Sequence, residues 1–221
     1  MTTFNDFGIF AGEKLIENQT FGLVTATNDV NGSWFLTQVV KRLGRHEKVT
    51  LITTINDEEF YIEALKRQGI KLQALPNVRI VSLLGKPAND VLQYADKDTV
   101  VVLENPDLWT AGGTNNVQEV VRTIFKLQQA SRAVLCLIQA DKPLLENADS
   151  SLLSTNHTNL GIQLLHQTDY VITLRPLPTG RADDVTGILN VSRGTRPTDI
   201  AVDEKEYLYF IKGEQVKITP R

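Results

Sequence analysis

The sequence predicts an α/β fold in three layers: a mainly parallel sheet with helices on both faces, extended at its C-terminal end by antiparallel strands. Three observations predict it. Short apolar runs alternate with helix-period segments from residue 21 to residue 174, the pattern of strand–helix–strand units. Two runs, residues 99–103 (apolar after Thr99) and 133–138, are continuously apolar, as strands buried on both faces are. Beyond residue 187 the alternation stops, and short strands follow one another with only turns between them.

The elements follow in order. Residues 21–26 form a β-rich run that ends in a polar turn cluster, 27–33. Trp34, Phe35, Val39, Val40 and Leu43 then recur at helical spacing, with Gly44 as the stop. Residues 49–53 are the second strand; 57–67 read as a helix closed by Gly69. A third strand spans 78–83, a short helix 88–94, and the first of the two apolar-run strands 99–103. Val120, Val121, Ile124 and Leu127 make one face of a helix over 117–129, before the second apolar strand at 133–138. A helix over 158–166 and a strand over 170–174 complete the alternation. Strands at 188–191, 207–211 and 215–218 close the chain, the last two joined at Lys212-Gly213-Glu214 as a hairpin.

Composition narrows the class. At 221 residues and 42% hydrophobic content the chain has material for one well-packed domain, residues 1–221. A net charge of -3 provides no overall electrostatic footprint for nucleic acid. The lone Cys136 lies in an apolar run and reads as a small buried hydrophobe. Residues 1–15 carry acidic side chains and no long apolar stretch, so they do not read as a signal peptide, and no run reaches the length of a membrane span. These features predict a cytoplasmic or nuclear protein, in which the N-x-[ST] matches at Asn18, Asn156 and Asn190 carry no meaning.

The turn after the first strand is the most informative segment. In G-x-x-x-x-G-K-[ST] loops, backbone N–H groups wrap phosphates, the lysine neutralises them and the hydroxyl holds magnesium. Here the position reads Thr27-Asn28-Asp29-Val30-Asn31-Gly32-Ser33-Trp34. Only Gly32 fits: Thr27 replaces the first glycine, Ser33 the lysine and Trp34 the hydroxyl, while Asp29 adds negative charge. Each lost charge-assisted contact is worth about 1.5–3 kcal/mol. The helix dipole that remains supplies only about 0.3–1 kcal/mol. The segment therefore predicts no tight ATP binding; by itself it fits an ordinary polar turn better than a retired phosphate loop. Glu104, at the end of the 99–103 strand, stands where a Walker B carboxylate stands, and also fits a solvated strand end.

Other candidates are weaker. His46, His157 and His166 have no metal-ligand spacing, and Ser150, Ser151 and Ser154 lack a nucleophile-elbow context. Asp183 and Asp184 fall in a turn. Two polar segments, 110–116 and 141–159, read as long loops, and Lys142 is the candidate nucleic-acid contact within the second. Trp34 and Trp109 are candidate apolar contacts at a subunit interface; Arg181 and Arg193 are the candidates for arginines presented across one.

A parallel core with an antiparallel C-terminal extension is the layout of RecA-like domains. Within it, residues 177–194 (Leu-Pro-Thr-Gly-Arg-Ala-Asp-Asp-Val-Thr-Gly-Ile-Leu-Asn-Val-Ser-Arg-Gly) resemble the L-x-T-G-x-x-x-D-V-x-G-x-L signature of the Elongator complex subunit six family. Glu206-Tyr207-Leu208-Tyr209 and residues 98–108 are similar to further segments of that family. The resemblance implies a RecA-like fold without working Walker motifs and no catalytic residue, metal or cofactor on this chain. It implies a heterohexameric ring with Elongator subunits four and five, a tRNA-binding pseudo-ATPase assembly that supports wobble-uridine modification. The alternative is a RecA-family ATPase paralogue that binds nucleotide through a non-standard loop.

Overall fold

The computed structural model describes residues 2–3, 14–16, 19–111, 116–180, 182, 184–213 and 215–221. Their strands are β1 (Thr2–Thr3), β2 (Thr20–Ala26), β3 (Lys48–Thr53), β4 (Val78–Ser82), β5 (Thr99–Glu104), β6 (Ala133–Gln139), β7 (Tyr170–Arg175), β8 (Gly187–Arg193), β9 (Lys205–Lys212) and β10 (Gln215–Pro220). The helices are α1 (Ser33–Leu43), α2 (Glu58–Arg67), α3 (Leu108–Ala111), α4 (Val117–Ala130), α5 (Lys142–Glu146) and α6 (Leu152–Leu165). The segment Ala88–Tyr94 is a 3-10 helix.

All ten strands join one sheet in the order β1-β10-β9-β8-β7-β2-β6-β5-β3-β4. Strands β2 to β7 pair in parallel. From β7 outward through β8, β9, β10 and β1 the pairing is antiparallel. The apolar runs explain the centre: every residue of β5 is buried, and β6 is buried through Ile138. Side chains of β2 alternate between two cores. Val24 and Ala26 pack with Phe35, Leu36 and Val40 of α1, whereas Phe21 and Leu23 pack with Val120 and Ile124 of α4 and Leu160 and Leu164 of α6. The sheet is thus the middle of three layers.

Helix starts follow side-chain capping. Asp57 accepts from Phe60 N at the start of α2, and Asn116 with Glu119 makes a capping box on α4. Gly69, at φ +75°, closes α2 as expected of a left-handed C-terminal residue. Lys212 pairs with Gln215 across a two-residue turn containing Gly213 at φ +58°, as the hairpin reading required.

One expectation is overturned. Residues 141–159 are not a long loop. Residues 142–146 form α5, and α6 begins at Leu152 rather than at residue 158. Ser151 supplies the missing start, its Oγ accepting from Ser154 N at 3.1 Å. Ser154, His157, Leu160 and Leu164 then recur on the buried face. Of the other predicted loop, Thr110 and Ala111 end α3 and Asn116 caps α4; residues 112–115 lie outside the described residues.

The C-terminal signature segments meet in space. Residues of β8 pair with β9, Gly187 facing Tyr209 and Asn190 facing Glu206. A Cβ on Gly187 would lie 2.5 Å from the Tyr209 hydroxyl oxygen and 2.6 Å from Arg175 O, so only glycine fits beneath that ring. Thr186 fastens the same corner: its N–H donates to Tyr209 O and its Oγ1 accepts from Ile211 N. Tyr209 in turn stacks on Trp34 at the start of α1, with ring centroids 4.8 Å apart and planes tilted by 31°.

Candidate functional site

The sheet's connections reverse direction beside β2. The chain leaves β2 for α1 on one face, and leaves neighbouring β6 for α6 on the other. In open α/β sheets the crevice outside the carboxyl ends at such a switch point is where ligands bind. The loop 27–32, the end of β5 and the residues after β6 converge there, held by Ala140 N donating to Ala26 O and Asn105 N to Leu137 O.

Three backbone donors of this turn, those of Asn28, Val30 and Ser33, are already engaged. Asn28 N donates to Asp141 Oδ1 at 2.7 Å, so a carboxylate of this chain occupies a backbone N–H at the place where a phosphate would. Val30 N donates to Thr27 O, and Ser33 N donates to Asn31 Oδ1 at 2.8 Å. Gly32 precedes α1 in ordinary helical geometry, φ -76°. Its small size is needed for packing: a Cβ would lie 2.7 Å from Leu137 Cδ1 and 3.1 Å from Ala26 Cβ. The glycine that matches the phosphate-loop pattern is thus explained by the β2–β6 contact.

Glu104 is buried, 1% exposed, and its carboxylate is surrounded by donors. Ser33 Oγ donates to Oε1 at 2.8 Å and Thr53 Oγ1 to Oε2 at 2.5 Å. Asn56 Nδ2 reaches Oε2 at 3.2 Å. The residue in the lysine position and the residue in the Walker B position therefore bind each other. The Tyr61 hydroxyl is buried beside them, and burial, then the Glu104 charge, raise its pKa well above the ordinary tyrosine value. A carboxylate with its lone pairs engaged by three side chains is poorly placed to hold magnesium through water.

A second buried carboxylate, Asp107, follows in the β5–α3 turn. Its Oδ2 lies 3.6 Å from His157 Nδ1 on α6. Burial raises its pKa to about 6; His157 pulls it down, while Asp141 and Glu104 push it up. The crevice is acidic where a nucleotide would bring further negative charge. Among the described residues no group of three or more His, Cys, Asp or Glu is placed to hold a metal ion.

The remaining predicted residues are dispersed. Trp34 turns away from Glu104 to pack on Tyr209 and Phe35. Trp109, expected as an exposed contact, is only 5% exposed; it packs against α4 and α6, and its Nε1–H donates to Lys86 O. An indole that finds both a core and a carbonyl has no need of a partner chain. Lys142 opens α5. Arg193 pairs with Tyr170, the first residue of β7, at the end of the strands opposite the crevice. Arg181 and Asp183 lie outside the described residues. Thr53, Asn56, Tyr61 and Asp141 are site residues that sequence reasoning missed. Thr53, Asn56 and Asp141 bond partners 48 to 113 positions away, and Tyr61 meets Glu104 from a different element, so no local pattern marks them.

Comparison with known proteins agrees with this architecture. No protein-family profile matches the chain. The chain is similar to Elongator complex protein 6 of Saccharomyces cerevisiae, with 24% identity over 233 aligned positions covering 92% of this chain and 81% of that one. Among solved structures it is similar to an isolated ATPase domain, with TM-score 0.62 and 13% identity, covering 94% of this chain and 88% of the other. It is similar also to a DnaB-like replicative helicase described with its primase interactions, with TM-score 0.62 and 15% identity. There it covers 90% of this chain and spans 57% of that longer one.

The fold is RecA-like. No described helix is long and apolar enough to cross a membrane.

Proposed function

We propose that this chain, residues 1–221 as one RecA-like domain, is a non-catalytic subunit of the Elongator accessory ring. In this reading it assembles with Elongator subunits four and five into a heterohexamer that binds tRNA and supports wobble-uridine modification in the cytoplasm and nucleus. The observation that carries the pseudo-ATPase reading is the bond between Ser33 and Glu104. Two positions that grip phosphate and metal in an active RecA-like ATPase are spent on each other. The Asn28–Asp141 bond supports the same reading from the other side of the crevice. Similarity to Elongator complex protein 6 over most of both chains supports the assembly. So does the crevice rim, where Ile55, Phe60 and Leu84 are 46%, 42% and 56% exposed. Large apolar side chains left open on the surface are what a partner surface covers.

The test is native mass spectrometry of the chain co-expressed with Elongator subunits four and five. A complex with two copies of each supports the proposal; recovery of this chain only as a lone monomer contradicts it. Filter binding then reads tRNA retention by the assembled ring, with Lys142→Ala expected to weaken it. A second reading, a RecA-family ATPase paralogue with a non-standard loop, is favoured by the fold likeness to an ATPase domain and a helicase. It requires nucleotide binding by the isolated chain.

A further inference from the structure

The net charge of -3 is unevenly spread. Residues 41–48 and 63–71 together hold seven Lys and Arg against two acids, a local charge of +5. Each segment runs from the end of a helix, α1 or α2, into the turn beyond it. Gln38 Nε2 donates to Gln68 Oε1 at 3.0 Å, so the two helix ends lie side by side. Lys41 follows Gln38 by three positions, on the flank of α1 that meets α2. Burial, and then the charge of Arg45 beside it, lower the Lys41 pKa. On the other helix Arg67 precedes Gln68 and Lys71 follows it.

The acids of the two segments are already engaged, Glu47 by Arg132 and Glu63 by Lys66 at 2.8 Å. Arg45, Arg67 and Lys71 are exposed, and among the described residues they and Lys41 make no ion pair. Bases in the last helical turns suit the negative helix ends. That accounts for none of Arg45, His46 and Lys71, which lie beyond the helices. The two helix ends together contribute only about one negative charge, so the surface stays positive. The crevice acids do not cancel it. They lie at the far end of α1, about 16 Å away for its 11 residues. That exceeds the screening length of about 8 Å in physiological salt.

We propose that the adjoining ends of α1 and α2 bind the phosphate backbone of a nucleic acid, at the end of the sheet opposite the crevice.

An acidic protein surface or a membrane fits this patch less well. None of the exposed large apolar side chains falls within residues 41–48 or 63–71. Protein interfaces are centred on apolar groups and poor in lysine, and helices that lie on membranes insert apolar side chains. Lys and Arg without an apolar centre match phosphate oxygens, and such contacts carry no sequence information. The RNA-handling role proposed above makes RNA the natural source. The site itself is read from charge and is carried by the chain without its ring.

Fluorescence anisotropy of the purified chain tests it, with a labelled RNA duplex and a DNA duplex of the same sequence, from about 50 to 200 mM salt. Wild type is expected to bind with a Kd of about 10⁻⁴–10⁻⁶ M near physiological salt, weakening as salt rises. The triple variant Arg45→Ala, Arg67→Ala, Lys71→Ala should lose about 0.9 of the log–log salt slope per phosphate contact removed, and at least about tenfold in affinity at low salt. A charge-matched control, Arg122→Ala, Lys126→Ala, Lys217→Ala, changes exposed bases elsewhere and should bind as wild type does. Loss confined to the first variant supports the site, and the duplex bound more tightly names its source. Absence of duplex binding by folded wild type overturns the proposal, whether or not phosphatidylserine vesicles retain the chain. So does equal weakening in the control. Both results are read on the isolated chain, so the ring stands or falls separately, on its mass spectrometry.

Discussion

Replacing Glu104 with alanine tests whether this carboxylate is structural. Three side-chain donors converge on it: Ser33 Oγ at 2.8 Å, Thr53 Oγ1 at 2.5 Å and Asn56 Nδ2 at 3.2 Å. A hydrogen bond to a charged acceptor is worth about 1.5–3 kcal/mol, and a buried donor left without one keeps its desolvation penalty. Relief from burying the charge itself offsets part of the loss. The net cost expected for Glu104→Ala is about 3–5 kcal/mol, as when one partner of a buried charged network is removed. For a chain of this size each kcal/mol lowers Tm by about 2–4 °C, so the expected fall is about 6–20 °C. Glu104→Gln keeps one acceptor and should lose about half as much. Urea denaturation and thermal melts of purified protein measure both. A carboxylate held in reserve for a ligand behaves oppositely: removing it leaves stability unchanged or raises it. An unchanged or higher Tm in Glu104→Ala would refute the reasoning.

Two further outcomes follow from the packing. Gly187→Ala drives a methyl into the Tyr209 ring and the Arg175 carbonyl. It should destabilise the chain by about 1–3 kcal/mol in urea melts. Since the backbone carbonyl cannot move aside, Tyr209→Leu should restore only part of the loss. Asp169 is fully buried, takes both Arg196 Nε and Nη2, and accepts from Phe21 N. Asp169→Ala should cost about 3–5 kcal/mol by stranding that guanidinium and that amide. A loss below about 1 kcal/mol, the value of an exposed ion pair, would contradict that assignment.

The parts of the fold that were legible in the sequence are those with a strong local signal. The apolar runs of β5 and β6 could be buried only on both faces, and the turn residues around Gly213 admitted only a hairpin. The start of α6 was missed because its first half, Leu-Leu-Ser-Thr-Asn-His-Thr-Asn, offers weak helix formers and no charged outer face. Leu152 is 73% exposed and Ile162 48% exposed, so apolar residues fall on both sides of that helix and blur its period. The candidate site was half legible. Gly32, Ser33 and Glu104 were found by position, but what they bind was not. The Ser33–Glu104 bond spans 71 positions and the Asn28–Asp141 bond 113. Contacts at such separation leave no pattern in a single sequence. Trp109 was misplaced for a related reason: the carbonyl that satisfies its indole belongs to Lys86, across the fold.

With Ser33 bonded to Glu104 and Asn28 N bonded to Asp141, we propose that the crevice takes no nucleotide. Calorimetric titration of the isolated chain with magnesium–ATP tests it most directly. The account predicts no binding heat up to millimolar nucleotide, with Glu104→Gln equally silent. A micromolar Kd, lost on Gly32→Val in a variant that remains folded, would contradict it.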